Sequence, residues 1–274
     1  MDYYIEQIEK AKTHKYLYHN TSIESLSLIL KNKSLKLSRL DKVNDADENK
    51  RITSPWNNRV FVACFSHDTQ SEKYFFENYG SVRLAFKTEE VTALQEVFFD
   101  AELKKPVPVY DKTIRYKDLS WGIYEKIIAD IKYVDDLDNY VLEDGTETNA
   151  GLIKRVSGLD DNKYLRNWYE EYETRVRVDV RPLHFEAFAV GLNEYGYYKP
   201  EFDSLFMRLP EIEGIRVSPT ITEKENERDK HQDTSMKLYD SYVEELISRE
   251  EYMVDESISF GEKLKNVSIT GLMS

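Results

Sequence analysis

The chain has only one cysteine, Cys64, and few glycines. A single thiol excludes an internal disulfide and suits the reducing cytoplasm, where we expect this protein to reside. None of the ten glycines belongs to a phosphate-binding loop or a dinucleotide-binding fingerprint. The five histidines show no paired helical spacing and no cysteine cluster accompanies them, so the sequence predicts no metal site.

Positive charge and long apolar stretches are also lacking. The 38 lysines and arginines are outnumbered by 51 aspartates and glutamates, which gives a net charge of −13. Non-specific nucleic-acid binding is therefore not expected, because it requires a cationic surface. The N-terminus has no cationic start followed by an apolar run, and no stretch of about 18 apolar residues exists. We thus expect neither a secretory signal nor a membrane span.

The composition is globular and rich in aromatic residues, with 41% hydrophobic residues and 20 tyrosines. Apolar periodicity predicts one α+β domain over residues 1–274, built on a curved, mostly antiparallel sheet with flanking helices. The elements predicted before residue 100 are helices at 2–13, 23–32 and 70–79, a helix capped by Thr88, and strands at 16–22, 35–38, 59–66 and 81–86.

Residues 100–165 are predicted to form a helical insert beside the sheet. Trp121, Tyr124, Ile127 and Ile131 recur at helical spacing, which predicts a helix over 121–134, and 151–167 is also assigned as helical. The elements predicted after the insert are strands at 184–190, 203–207, 215–218 and 257–260 and a long helix over 222–249.

Residues 168–178 carry the most informative charge pattern. Their second half alternates as a β-strand, which places Glu171, Glu173, Arg175 and Arg177 on one face. Two carboxylates two residues apart on a strand point into one space, and each raises the proton affinity of the other unless a cation intervenes. Such a row is either a functional site or a solvated face carrying an exposed ion pair.

Two nucleophilic side chains lie on the predicted central strand. Cys64 shares a face with Val60 and Val62, and we interpret it as a buried, inert thiol. Ser66 stands at the exit of the strand but lacks the glycines of a hydrolase nucleophile elbow.

Several short motifs occur in a recognisable order: Leu17-Tyr18-His19-Asn20-Thr21-Ser22, Val43-Asn44-Asp45 with Glu48, Ala63-Cys64-Phe65-Ser66, Tyr79-Gly80, and Trp168 with Glu171, Glu173 and Arg175. This set resembles a bacterial family of unknown function whose members read Leu-Tyr-His-Tyr-Thr-Ser, Leu-Asn-Asp-Pro-Phe-Glu, Cys-Phe-Ser and Trp-x-x-Glu-x-Glu-x-Arg. The resemblance covers about residues 16–220. The sequence departs from it at Asn20, at Ala46-Asp47, and at Phe75 and Phe76, where the family has Tyr, Pro-Phe and a nearby Trp.

That family in turn resembles the ADP-ribosyltransferase fold, which implies NAD as the substrate. By this resemblance His19, Ser66, and Glu171 or Glu173 correspond to the three motifs of the catalytic site. Glu173 would hold the ribose and stabilise an oxocarbenium-like cation, while Glu171 would engage the acceptor. His19 would bind the adenosine ribose or the nicotinamide amide, and Ser66 would brace the carboxylate or the ribose.

The resemblance also implies residues that bind the cofactor. Tyr18, Phe76 and Tyr79 would stack on the nicotinamide, and Thr21 and Arg175 would lie beside the dinucleotide. Simpler roles stay open: Thr21 stands three residues before Glu24, which is a helix-capping spacing, and His19 fits a hydrogen-bonded strand end.

Three functions follow from these patterns. The first is transfer or release of ADP-ribose from NAD, in a bacterial toxin or phage-defence effector whose acceptor the sequence does not specify. The second is a non-catalytic module that binds a nucleotide or a protein in the same cleft. The third is a metal-dependent nuclease using Asp45, Glu48 and Glu171.

Overall fold

The computed structural model describes residues 2–43, 59–67, 72–93, 96–109, 121–135, 151–159, 165–182, 200 and 202–217. The predicted elements at 184–190, 222–249 and 257–260 lie outside these ranges. Asp45 and Glu48, two of the three residues of the predicted nuclease site, also lie outside them.

The described helices are short. They are α1 (Asp2–Thr13), α2 (Ile23–Asn32), α3 (Glu72–Tyr79) and α4 (Thr88–Thr92), with 3-10 turns at Leu40–Lys42 and Trp168–Glu171. Both α1 and α2 have the predicted bounds. None of the described helices combines the length and the apolar character that crossing a membrane requires.

Strands make up most of the described chain. They are β1 (Tyr16–Thr21), β2 (Ser34–Arg39), β3 (Val60–Ser66), β4 (Val82–Lys87), β5 (Val97–Phe98), β6 (Trp121–Asp130), β7 (Lys132–Val134), β8 (Ile153–Arg155), β9 (Gly158–Leu159), β10 (Leu165–Arg166), β11 (Glu173–Pro182), β12 (Ser204–Arg208) and β13 (Ile212–Val217). Nine of them form one sheet whose strand pairs are all antiparallel, with β11 joining β3 to β6. The α+β fold with a mostly antiparallel sheet is therefore confirmed.

The sheet forks at β3. One edge of β3 pairs with β11 along its whole length, from Ser66 opposite Glu173 to Val60 opposite Asp179. The other edge is shared by two strands, because β1 pairs only at Ser66 and β2 pairs only at Val62 and Phe61. β1 and β2 therefore diverge along the middle of β3 and open a gap in the sheet.

The prediction of a helix over 121–134 is wrong. Residues Trp121–Asp130 form strand β6, which pairs with β11 along its length. The register shifts by one residue there, since Val180 pairs with Ile123 and Asp179 with Glu125. This bulge interrupts the alternation of period two and leaves apolar residues at a spacing that imitates a helix. The four isoleucines between 121 and 131 favour a strand, a preference that the spacing concealed.

The helical insert is likewise not observed in the described part of 100–165. The segment predicted as helical at 151–167 contains the short strands β8, β9 and β10. β8 pairs in parallel with β7, and β9 pairs antiparallel with β10. The described part of this region therefore consists of short strands rather than helices, and it places β8 next to the main sheet.

Two predicted helix caps are displaced by one residue. The hydroxyl of Ser22, rather than that of Thr21, caps α2 by accepting a hydrogen bond from the Ser25 N–H at 3.2 Å. Thr21 is instead the last residue of β1 and is buried. Thr88 is the first residue of α4, and Lys87 occupies the cap position.

One face of the sheet carries the core. Helices α1, α2 and α4 contribute Ala11, Leu26 and Val91 to a single buried cluster. The strand residues in the same cluster include Leu17, Leu84, Phe86, Phe65, Val176 and Val178. Because side chains alternate between the faces of a strand, Val176 on the core face places Glu173 and Arg175 on the opposite face.

Gly80 fixes the chain between α3 and β4. It adopts φ +119°, and a Cβ atom there would lie 2.4 Å from the Thr21 carbonyl oxygen. We expect Gly80→Ala to lower the free energy of unfolding by more than about 1 kcal/mol, since both the backbone angle and the space exclude a side chain. Urea denaturation measures this loss.

Gly214→Ala is the matched control, because a Cβ at Gly214 would meet only the Ala85 side chain, at 3.9 Å. Its stability should stay within about 0.5 kcal/mol of the wild type. Equal stability of the two variants would contradict the close approach of Gly80 to β1.

Candidate functional site

A cleft of about 310 Å³ occupies the gap where β1 and β2 diverge. Its walls come from β1, β2, β3, α3, β8, β11 and the two 3-10 turns. This volume is at the lower end of the range typical of small-molecule sites. The fork thus provides a concave surface with access to one face of the central strand.

Most of the residues singled out in the sequence line this cleft. The lining includes all four predicted catalytic residues and three of the predicted cofactor-binding residues: His19, Ser66, Glu171, Glu173, Tyr18, Tyr79 and Arg175. Thr21 and Phe76 are not part of the lining. Thr21 is buried opposite Val82, and Phe75 lines the cleft in place of Phe76.

Glu171 and Glu173 reach the cleft by a route that alternation did not predict. Glu171 ends the 3-10 turn, whereas Glu173 begins β11. Tyr172 between them adopts the left-handed conformation with φ 44°. The two carboxylates therefore share a space because of a turn, and the prediction that Glu171 lies on the strand is wrong.

Lys154 lies between the two carboxylates. Its Nζ donates to Glu171 Oε2 at 2.7 Å and to Glu173 Oε2 at 3.2 Å, and only 3% of its side chain is exposed. It also lies 4.2 Å from the ring centre of Trp168. Lys154 is not among the site residues that the sequence predicts, because 151–167 is predicted to be helical. A lysine directly after two apolar residues in a buried segment was the available signal, since a buried ammonium group needs a partner.

Arg175 completes a neutral group of two carboxylates and two cations. Its Nε donates to Glu173 Oε1 at 2.6 Å, and its Nη1 donates to the Gly151 carbonyl oxygen at 2.9 Å. Burial alone would raise the pKa of Glu173, but the charges of Arg175 and Lys154 outweigh it and hold that pKa well below its usual range. Glu173 is therefore a permanent anion at neutral pH and does not act as a general acid.

The charged face of β11 is buried. The exposed fractions are 4% for Glu173 and 1% each for Arg175 and Arg177. Arg177 donates to Glu125 Oε2 at 2.7 Å. The interpretation of this row as a solvated face is therefore wrong, and its ion pairs are too well desolvated to count as weak surface pairs.

Tyr79 and Ser66 meet the carboxylates from two sides. The Tyr79 hydroxyl donates to Glu171 Oε1, which ties α3 to the 3-10 turn. Ser66 pairs with Tyr18 on one edge of β3 and with Glu173 on the other. The serine therefore stands between β1 and the carboxylate of β11.

His19 bridges the fork. Its Nδ1 lies 3.0 Å from the carbonyl oxygen of Cys64, a residue of β3 between the segments paired with β1 and with β2. A carbonyl only accepts, so Nδ1 carries the proton and the lone pair of the neutral ring is on Nε2. Burial lowers the pKa of His19, although the bond to Cys64 opposes this. His19 is thus a neutral hydrogen-bonding group in the cleft at pH 7.

Cys64 opens into the cleft, so the prediction of a buried thiol is wrong. Removal of bulk water by the cleft walls, and then the charge of Glu173, raise the pKa of the thiol well above its usual range. The thiol also shares a hydrogen bond with the Glu173 carboxylate. Because the thiolate is the nucleophilic form, Cys64 is accessible and yet unreactive at neutral pH.

Asn20 lines the cleft and has an unpaired side-chain amide. Its Nδ2 and Oδ1 atoms are both buried and have no hydrogen-bond partner among the described residues. Such groups are rare in folded proteins and point to a missing partner. Asn20 is therefore a candidate to bond a ligand through this amide once its side chain turns toward the open part of the cleft.

His14, His67 and Asp130 form a separate cluster of possible metal ligands outside the cleft.

The predicted nuclease site is not supported by the described residues. Within the cleft, Glu171 is bonded to Lys154, and the other two residues of that site are not described. The geometry therefore gives no support to a nuclease centre on Glu171.

Comparison with family models, with curated proteins and with solved structures returned no match. The geometry of the cleft is therefore the basis for any functional assignment.

The charge of Glu173 should control acid stability. The pKa of Glu173 is lower in the folded chain than in the unfolded chain, where it is about 4.3. The stabilisation that Glu173 gives to the folded state is therefore complete above about pH 4.3, and it is lost as the pH falls through the pKa of the folded chain. We expect Glu173→Gln to lose about 3–5 kcal/mol at pH 7, because a buried ion pair loses one partner. Urea denaturation across pH should show this gap shrinking on acidification below about pH 4.3.

Glu170→Gln is the control for this series, since Glu170 is exposed and accepts a bond from Asn167. Its stability should follow the wild type within about 0.5 kcal/mol at every pH. A gap for Glu173→Gln that stays constant with pH would show that the carboxylate is not held ionised.

The pKa of the Cys64 thiol depends on the charge of the Glu173 carboxylate. With iodoacetamide at pH 7.5, we expect slow labelling that is still accelerating above about pH 8.5, the normal thiol pKa. Glu173→Gln should label several-fold faster at pH 7.5, because the loss of the negative charge lowers the thiol pKa. Mass spectrometry of the intact chain measures the rate, and a midpoint at the normal value would contradict the proposed environment.

Proposed function

We propose that this protein is an ADP-ribosyltransferase-like enzyme that binds NAD in the cleft and cleaves the bond between nicotinamide and ribose. The proposal is carried by one observation: His19, Ser66, Glu171 and Glu173, which come from three separate parts of the sequence, line the same cleft. The forked antiparallel sheet is compatible with the fold that the motifs resemble.

The chemistry requires stabilisation of a cation. When the bond between nicotinamide and ribose breaks, its electron pair moves to the pyridine nitrogen, which becomes neutral, and C1 of the ribose becomes oxocarbenium-like. A nucleophilic acceptor or water then bonds to C1 and releases a proton. Glu173, ionised and buried away from bulk water, is suited to stabilise this positive charge.

Glu173 already accepts bonds from Arg175, Lys154 and the Cys64 thiol. A thiol is the weakest of these donors, so a ribose hydroxyl would replace Cys64 at lowest cost. Arg175 and Lys154 would keep the carboxylate ionised and oriented throughout. Glu171, held by Tyr79 and Lys154, would face the acceptor.

Other groups in the cleft fit the remainder of a dinucleotide. The paired donor and acceptor of Asn20 match a carboxamide or the edge of adenine. Tyr18 and Tyr79 provide aromatic faces for stacking. Lys36 and Lys42 are exposed and line the same cleft, where they would attract a pyrophosphate.

The second candidate function is a non-catalytic module that binds a nucleotide or a protein in this cleft. Lys154 favours it, because a lysine between the two carboxylates neutralises charge that cleavage of NAD would use. The two functions share a ligand site but differ in whether the bound nucleotide is consumed.

Calorimetric titration with NAD, followed by chromatography for released nicotinamide, tests the proposal. We expect the wild type to bind and slowly consume NAD, and Glu173→Gln to bind it with at least a hundredfold slower release of nicotinamide. Bound NAD should also protect Cys64 from iodoacetamide, since the thiol lies in the cleft. Binding and protection without consumption by the wild type would support the second function.

Asn20→Ala and Glu170→Gln are the matched variants. Asn20→Ala should weaken NAD binding at least tenfold without loss of stability, because it removes buried polar atoms that have no protein partner. Glu170→Gln, on the exposed side of the 3-10 turn, should bind and consume NAD like the wild type. Absence of NAD binding by the wild type at millimolar ligand would overturn the proposal.

A further inference from the structure

A second cluster of reactive side chains lies on the other face of β11. It consists of His14 after α1, His67 after β3 and Asp130 at the end of β6. One nitrogen from each ring and one Asp130 oxygen lie within 4.8 Å of one another. The two imidazole rings stack at 3.9 Å with their planes 5° apart.

Hydrogen bonds order the cluster around Asp130. His14 Nε2 lies 2.8 Å from Asp130 Oδ2, and the Thr174 hydroxyl donates to Asp130 Oδ1 at 2.6 Å. His67 Nδ1 lies 3.0 Å from the same hydroxyl. Because the Thr174 proton is used toward Asp130, His67 Nδ1 carries a proton and donates to Thr174; an ion bound at Nδ1 would replace that proton, and the ring would then be protonated at Nε2.

We propose that His14, His67 and Asp130 bind a divalent first-row transition-metal ion such as Zn²⁺. Two imidazoles and one carboxylate are the protein ligands of many sites of this kind, with a water molecule in the fourth position. Exposed fractions of 21% for the histidines and 8% for Asp130 leave one side of the cluster open to an entering ion and to that water.

The spacing of the ligands fits such an ion. Ligand bonds of about 2.0–2.1 Å at tetrahedral angles place neighbouring ligand atoms about 3.4 Å apart. The His14 Nε2 to Asp130 Oδ2 distance of 2.8 Å and the His67 Nδ1 to Asp130 Oδ1 distance of 3.7 Å lie on either side of this value. These two distances go to the two oxygens of the same carboxylate, and the two rings would have to rotate out of their parallel stack to direct both nitrogens at one ion.

The surroundings of the cluster are those of a supported metal site. Thr174 holds one carboxylate oxygen from behind, the kind of outer contact that orients a metal-bound carboxylate. The backbone N–H of His67 donates a hydrogen bond to the Tyr172 carbonyl oxygen at 3.1 Å. The ligand set has two nitrogens and one carboxylate, so it favours Zn²⁺ and its neighbours over Mg²⁺ or Ca²⁺, which prefer oxygen ligands.

The sequence predicts no metal site, because its histidines have no regular spacing. His14 and His67 are far apart in the chain. The pairing of β11 with β3 and β6 brings His67 to Asp130, and the packing of α1 against β6 brings His14 there. This proposal is independent of the function of the cleft, since none of its three ligands lines the cleft.

Calorimetric titration of the chelator-treated full chain with Zn²⁺ tests the site. We expect one ion per chain, with affinity lowered at least tenfold in His14→Gln and in Asp130→Asn, and no displacement by millimolar Mg²⁺. His14 is partly exposed, so His14→Gln should fold, and circular dichroism verifies that it does. His19→Gln, a histidine outside the cluster, should bind Zn²⁺ like the wild type.

Co²⁺ substitution identifies the ligand atoms. We expect visible bands of a four-coordinate ion without the near-ultraviolet charge-transfer band that a thiolate ligand produces. That band would place the ion at Cys64 and overturn the proposal. No Zn²⁺ binding at micromolar concentration, or unchanged binding in His14→Gln, would also overturn it.

Discussion

The structure depends on the pairing of β3, which has two edges and three partner strands. β11 occupies one edge completely, so β1 and β2 divide the other and must diverge. Where they diverge, backbone groups of β3 lose their neighbours, and His19 supplies a side-chain bond to one of them. The cleft is thus a direct result of strand pairing, and the residues that line it are those nearest the fork.

The buried charges impose a second constraint on the cleft. Glu171, Glu173, Lys154 and Arg175 are all nearly inaccessible and cancel in net charge. A network of this kind is stable only when every member has its partners, because an isolated buried charge is costly. The group therefore fixes the relative positions of β8, β11 and the 3-10 turn, three segments that no long strand pairing connects.

The sequence predicts the type and bounds of an element correctly where apolar residues recur with a regular period. It predicts them wrongly where a local irregularity shifts that period. α2 and β3 follow their apolar patterns, and their bounds match the prediction within one residue. The bulge in β6 gave a strand the spacing of a helix, so 121–134 was assigned wrongly. The family resemblance drew attention to His19, Ser66, Glu171 and Glu173, which do line one cleft. Membership of the family and the cleavage of NAD stay predictions, as does the assignment of residues 1–274 to a single domain.

The partners of Lys154 and the cluster of His14, His67 and Asp130 could not be predicted from sequence patterns, for a common reason. Each depends on contacts between segments far apart in the chain, and no local spacing encodes such contacts. Asn20 lies within the first motif, but the motif marks it only as a departure from the family. That its amide is buried and unpaired depends on the packing around it, which the motif does not encode.

Consecutive residues of β11 serve the two faces of the sheet, because Glu173 belongs to the cleft and Thr174 to the histidine cluster. A deletion of one residue at the start of this strand would exchange the two side chains between the faces and disable both places together. The cleft and the cluster therefore both depend on the register of this one strand, and we expect the strand to tolerate substitutions better than insertions or deletions.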